Sequence, residues 1–159
     1  MQGALDDSPL VAEVLLDRVL KMSRKPEREA VVLVAHGPES MEDNASWLAV
    51  MQRLGGAIQT KGRFSELALA TLQDDAPPEI REQATRPMRW LVQELGQTRK
   101  VSVVPLFLSR GGIEEKIVQR LEGLSCVFSG ETLLPHPKIS KWIQKEIQSA
   151  LTALEGEPL

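Results

Sequence analysis

Three short apolar runs, Ala30-Val-Val-Leu-Val-Ala-His36, Phe64 to Leu72 and Val101 to Leu108, recur along the chain with helix-patterned stretches between them. The first is unbroken, dominated by β-branched residues and ended by Gly37-Pro38. A run of that kind is a strand covered on both faces, as in a parallel sheet. Ser125 to Phe128, which holds the lone cysteine, reads as a fourth strand. Ser8-Pro9 ahead of Leu10, Val11, Val14, Leu15 and Val19 predicts a capped helix that stops before Lys25-Pro26. Ser40-Met-Glu-Asp43 opens a second helix with the stripe Trp47, Leu48, Met51, Leu54 and Ile58. Ile80, Ala84, Met88, Leu91, Val92 and Leu95 mark a third, in which Pro87 is expected to introduce a kink. Ile113, Ile117 and Leu121 begin a short fourth. Pro137 starts the last, with Ile139, Trp142, Ile143, Ile147, Leu151 and Leu154 expected to face inward. Strands alternating with helices predict an α/β fold, an open parallel four-stranded sheet flanked by helices in a flavodoxin-like single unit. The expected organisation is an N-terminal helix and linker over 1–29, the α/β domain over 30–154, and a frayed tail over 155–159.

Composition removes several functional classes. Hydrophobic residues make up 42% of the 159, enough for a core that needs no staple at this size. The net charge of −3 argues against a general nucleic-acid binder, which needs a basic face to neutralise phosphates. No apolar run approaches the ~20 residues that cross a bilayer, and the acidic pair Asp6-Asp7 stands where a secretory signal carries Lys or Arg. A single cysteine, Cys126, excludes an internal disulfide and a Cys-rich zinc site. The expectation is a cytoplasmic protein with no membrane or nucleic-acid partner and no organic cofactor.

In open parallel sheets ligands bind beyond the carboxyl ends of the strands, where strand order reverses. The loops that meet this condition are His36–Asn44, Gln73–Pro78 and Ser109–Gly112, and if the first strand neighbours the third, His36 and Arg110-Gly111-Gly112 face one cleft. An imidazole at a strand end either bonds to a backbone carbonyl or serves as a metal ligand and proton acceptor. Gly37 permits a sharp turn and close approach of a ligand. The free N–H groups and guanidinium of Ser109–Gly112 suit an anion. Glu114 and Glu115 lie in a first helical turn, where the dipole favours negative charge, and Glu114 is also a candidate metal-facing carboxylate. Asp74 and Asp75 either supply carboxylates to a cation or cap the third helix. His136, between two prolines, reads as structural or solvated, and Arg18/Lys21 and Lys141/Lys145 as solvated surface.

With these residues in place, the chain resembles the sirohydrochlorin chelatase family of CbiX/SirB type over roughly Ala30 to Leu154. The resemblance rests on VVLVAHGPESMEDN, on VSVVPLFLSRGG and on LLPHPKISKWI. SPLVAEVLLDRV is similar to the helix that joins two such units in longer members. The resemblance implies a chelatase-like fold and insertion of a divalent metal substrate (cobalt, iron or nickel) into a tetrapyrrole. It further implies His36 as catalytic residue and metal ligand, with the loop of Arg110, Gly111 and Gly112 at the substrate cleft; Gly37 is a further substrate-binding candidate beside it, and Glu114, Asp74 and Asp75 are candidate additional acids. It also implies a homodimer or a second chelatase-like unit. Two positions depart from the family pattern. Ile113 stands where a second histidine usually follows the glycine pair, and Gln73 stands where Glu is common. Those departures raise an alternative, a catalytically weak metal- or tetrapyrrole-binding module or one half of a larger two-unit chelatase. A remote alternative is a histidine phosphatase-like enzyme, whose Leu-x-Arg-His-Gly string is similar to Leu33–Gly37 with Ala35 in place of the arginine.

Overall fold

Ser8 accepts a hydrogen bond from the Leu10 N–H at 3.3 Å, and Pro9 opens helix α1 (Pro9–Met22). The computed structural model describes residues 8–155; the acidic N-terminal segment and residues 156–159 of the expected tail lie outside the described residues. A 3-10 turn at Pro26–Arg28 leads into strand β1 (Glu29–Ala35), every residue of which is buried. Helix α2 (Met41–Gly62) follows, capped by Ser40, whose side chain accepts from the Asp43 N–H. Then come β2 (Glu66–Thr71), α3 (Pro78–Gly96), β3 (Lys100–Leu106), α4 (Ile113–Arg120), β4 (Val127–Phe128) and α5 (Pro137–Glu155). The strands pair in parallel in the order β2-β1-β3-β4, so β1 and β3 are neighbours.

Alternation along the central strands builds two cores, one on each face of the sheet. Val31, Leu33 and Ala35 of β1, with Val104 and Leu106 of β3, meet Val11, Val14, Leu15 and Val19 of α1 and Met51, Leu54 and Ile58 of α2. Ala30, Val32 and Val34, with Val101 and Val103, meet Met88 and Val92 of α3 and Ile117 of α4. This double cover explains why β1 carries no polar residue between Ala30 and Ala35. Helix α1 belongs to this main core, packing against strand residues beyond position 30.

Three local expectations change: the cap of the third helix, the exposure of Arg18 and the inward face of the last helix. Helix α3 runs through Pro87 without interruption, and Pro77 is its N-cap with no side-chain hydrogen bond, so neither Asp74 nor Asp75 caps it. Arg18 is only 6% exposed rather than solvated. Its guanidinium donates to the carbonyls of Thr132 at 3.2 Å and Pro135 at 2.9 Å and pairs with Glu131, stapling α1 to the β4–α5 loop. His136 is held by Asp17 at 3.2 Å and accepts from the Lys138 N–H. In α5, Ile139 is buried and Ile143 packs on the core, but Ile147, Leu151 and Leu154 are exposed. At ~1.5 Å per residue, α5 is about 28 Å long against about 21 Å for its neighbour α1, so its last turns outrun the surface that would cover them.

Candidate functional site

The loops after β1, β2 and β3 gather at the carboxyl edge of the sheet, and the first is set by a glycine. Gly37 has φ +75°, and a Cβ there would lie 2.8 Å from Thr71 Cβ and 3.0 Å from Asn44 Oδ1. The loop therefore folds flat against the end of β2. Gln73 locks it from the other side: its N–H donates to the His36 carbonyl at 2.7 Å and its Nε2 to the Pro38 carbonyl at 3.1 Å. Gln73 is 1% exposed, so the amide at this position is structural. Gly37→Ala combines a left-handed backbone with overpacking and should cost ~2 kcal/mol or more. Gly111→Ala, with nothing within 4 Å of its Cβ, should cost under ~0.5 kcal/mol. Urea denaturation of the two variants measures the contrast.

His36 emerges from this clamp about one-third exposed. Its Nδ1 lies 2.9 Å from the Gly37 carbonyl, which can only accept, so Nδ1 donates there and Nε2 points outward. His36 Nε2 faces Asp75 Oδ2 at 3.3 Å. A neutral imidazole and a carboxylate so placed are two acceptors, which repel one another unless a proton or a cation lies between them. Beside it lies an apolar recess of about 460 Å³ lined by His36, Gly37, Pro38, Asp43, Ser46, Trp47 and Val50. The Trp47 Nε1–H is buried without a hydrogen-bond partner. Trp47, expected in the apolar stripe of α2, packs against the core and also lines this recess. Asp43, four residues before it, and Val50, three after it, share the helix face turned toward the loop.

The remaining candidate residues divide. Asp74 turns away from His36 and is buried in a bracket with Lys116 and Arg120, its Oδ1 2.6 Å from the Arg120 guanidinium. Burial pushes its carboxyl up most strongly, but Lys116, Arg120 and Arg81 together outweigh this and hold it below the usual range. Its role is to tie the β2–α3 loop to α4, which leaves Asp75 standing beside His36. Glu114, expected as a metal-facing acid, is turned back on its own loop: Oε2 accepts from the N–H groups of Gly112 at 3.0 Å and Gly111 at 3.4 Å. Among the described residues no group of three or more His, Cys, Asp or Glu side chains could hold a metal ion. Arg110, Gly111 and Gly112 are exposed at the mouth of the β3–α4 loop, and Leu108 before them is also exposed. Ala35 is fully buried and carries no cation toward His36, which removes the phosphate grip that the phosphatase-like alternative needs.

A family model for CbiX matches residues 30–150. The chain belongs to the CbiX family. No curated protein matches it. Among solved structures, SirB from Bacillus subtilis with Fe3+ superposes at a TM-score of 0.70 with 16% sequence identity. The match covers 95% of this chain and 57% of that one, so this CbiX-family chain spans little more than half of SirB. The likeness establishes the fold, an open parallel α/β sheet of chelatase type. No helix of this CbiX-family chain, among the described residues, is long and apolar enough to cross a membrane.

Proposed function

We propose that the chain is a tetrapyrrole chelatase unit that delivers a divalent metal substrate from the His36–Asp75 pair to a macrocycle seated against the Trp47 recess. The observation that carries this reading is the facing of two acceptors, His36 Nε2 and Asp75 Oδ2, at the edge of an apolar recess. Insertion exchanges one divalent cation for two pyrrole N–H protons. A cation bridging the imidazole and the carboxylate is held by only two protein donors, a grip loose enough to release it. As the metal departs, the Nε2 lone pair is freed and takes one proton, with Asp75 beside it to stabilise the imidazolium. Asp75 is two-thirds exposed, so the second proton passes by way of its carboxylate to water. Gly37 keeps the loop flat enough for the ring to approach, and the Arg110–Gly112 loop borders the other side of the cleft. Sirohydrochlorin is the macrocycle the family suggests, with cobalt, iron or nickel as the metal. Incubation with sirohydrochlorin and each cation in turn, followed by absorbance, should show insertion above background. A rate equal to the uncatalysed one with every metal rejects the reading.

A second unit completes this proposal. It is supported by the two-donor site, by Ile113 where the family usually has histidine, and by the exposed apolar end of α5 at Ile147, Leu151 and Leu154. Light scattering should find a dimer, and Leu151→Glu, which places a charge in that apolar stripe, should return it to a monomer. The alternative reading, a tetrapyrrole-binding module without turnover, draws on the same missing histidine. Tight porphyrinoid binding with no insertion distinguishes it.

A further inference from the structure

A second recess opens on the same carboxyl edge, between α1, the β3–α4 loop and the β4–α5 loop. It has a volume of about 160 Å³ and is lined by Arg18, Arg110, Glu131, Thr132, Leu134 and Pro135. The position of its rim follows from backbone pairing: the N–H groups of Leu133 and Leu134 donate to the carbonyls of Phe107 and Leu108, carrying the β4–α5 loop past the end of β3. Two guanidinium groups thus border one small cavity. They are not equivalent. Arg18, buried, spends its donors on the Thr132 and Pro135 carbonyls and on Glu131. Arg110 is exposed and has no hydrogen-bond or ion-pair partner among the described residues.

The charge around the recess does not balance. Glu131 is its one carboxylate, and it is already shared by Arg18 at 3.3 Å and Lys21 at 3.5 Å. The acids further along α1 are engaged elsewhere, Glu13 by Lys138 and Asp17 by Lys138 and His136. Three cations, Arg18, Lys21 and Arg110, therefore meet a single negative group. Like-charged guanidiniums around a cavity are stabilised by an anion between them, and a planar carboxylate matches the forked donors of arginine. The volume admits one carboxylate and its linking methylene, and not a whole ring.

We propose that this recess is a carboxylate socket which takes one peripheral acid group of the macrocycle, with Arg110 as the gripping residue and Arg18 as the fixed cationic floor. The assignment rests on the chelatase reading for the identity of the ligand. Its own content is a requirement for a free acid on the side of the ring that lies over β3 and β4, with Glu131 weakening the grip by competing for the same cations. The socket thus sets which macrocycles bind and in which orientation, while His36 and Asp75 act on the ring centre.

The test uses two metal-free probes that differ only at the periphery, coproporphyrin with four free carboxylates and its tetramethyl ester, in the same detergent. Dissociation constants come from quenching of tryptophan fluorescence. Arg110→Ala should weaken coproporphyrin binding about tenfold, the worth of one charge-assisted pair, and leave the ester unchanged. Arg110→Glu should weaken it further, and Glu131→Gln should strengthen it. Because Arg110 is exposed and has no hydrogen-bond or ion-pair partner among the described residues, its variants remove no such contact there. The socket is overturned if Arg110→Ala leaves the coproporphyrin constant within twofold, if it weakens both probes equally, or if the unaltered protein binds neither. Arg110-dependent binding with no metal insertion keeps the socket and discards the chelatase reading. Insertion with an indifferent Arg110 does the reverse.

Discussion

His36→Ala is expected to lower the rate of metal insertion at least ~100-fold, the scale on which a positioned proton acceptor contributes. The loss should be larger than that of any other single replacement at the site, because the imidazole serves twice, first as a donor to the cation and then as acceptor of a pyrrole proton. Asp75→Asn should lose less, since it leaves Nε2 in place but removes the charge that faces it at 3.3 Å. The folded protein should survive both changes, His36 being partly and Asp75 largely exposed. Stopped-flow absorbance at saturating and limiting metal separates the two roles. A variant that binds metal poorly is rescued by excess cation, whereas one that has lost the proton acceptor is not. Equal rates for His36→Ala and the unaltered chain would remove the imidazole from the chemistry.

The second large effect is on stability. Asp74→Ala strands Arg120, whose side chain is only 13% exposed, beside a buried gap, and breaking a buried pair of this kind costs about 3 kcal/mol. The melting temperature should fall by roughly 10 °C for a chain of this size. The same bracket makes stability depend on acid. The Asp74 carboxyl is held below its ordinary value. Glu29 behaves alike: burial raises its carboxyl, but the Ser23 hydroxyl, the N–H groups of Arg24 and Lys25, and the charge of Lys100 bring it below the usual range. A depressed folded-state value means that the native chain binds fewer protons than the unfolded one. The stabilisation is therefore complete above about pH 4–4.5, the ordinary carboxylate values, and is lost as pH falls through the depressed ones. Thermal melts between pH 3 and 6 should show this slope, and Asp74→Ala should flatten it.

How far the site was legible depended on what each residue contacts. His36 and Gly37 were readable because strand chemistry ends there: β-branched residues stop, a glycine follows, and the carboxyl edge of a parallel sheet is where ligands go. Asp74 and Asp75 were not separable in sequence, since adjacent side chains of one kind carry no sign of direction. Lys116 and Arg120, more than forty residues away, pull the first inward. Glu114 followed the local rule for first-turn acids, its carboxylate capping Gly111 and Gly112. Arg18 misled as surface charge because its partners, Thr132 and Pro135, are more than a hundred residues distant. The exposed end of α5 misled in the opposite direction. Periodicity marks the apolar face of a helix, but only the length of the neighbouring elements tells how much of that face is covered.

Local patterning was sufficient for the order of elements, the parallel sheet and the histidine at its carboxyl edge, because strand and helix periods and turn glycines act over a few residues. Tertiary packing alone decided which acid faces the imidazole, which is consumed by a buried bracket, and which arginine stands exposed beside the second recess. Those outcomes turn on pairings between groups far apart in the chain. Electrostatic and burial energies depend on distance in space, a quantity that spacing along the sequence does not carry.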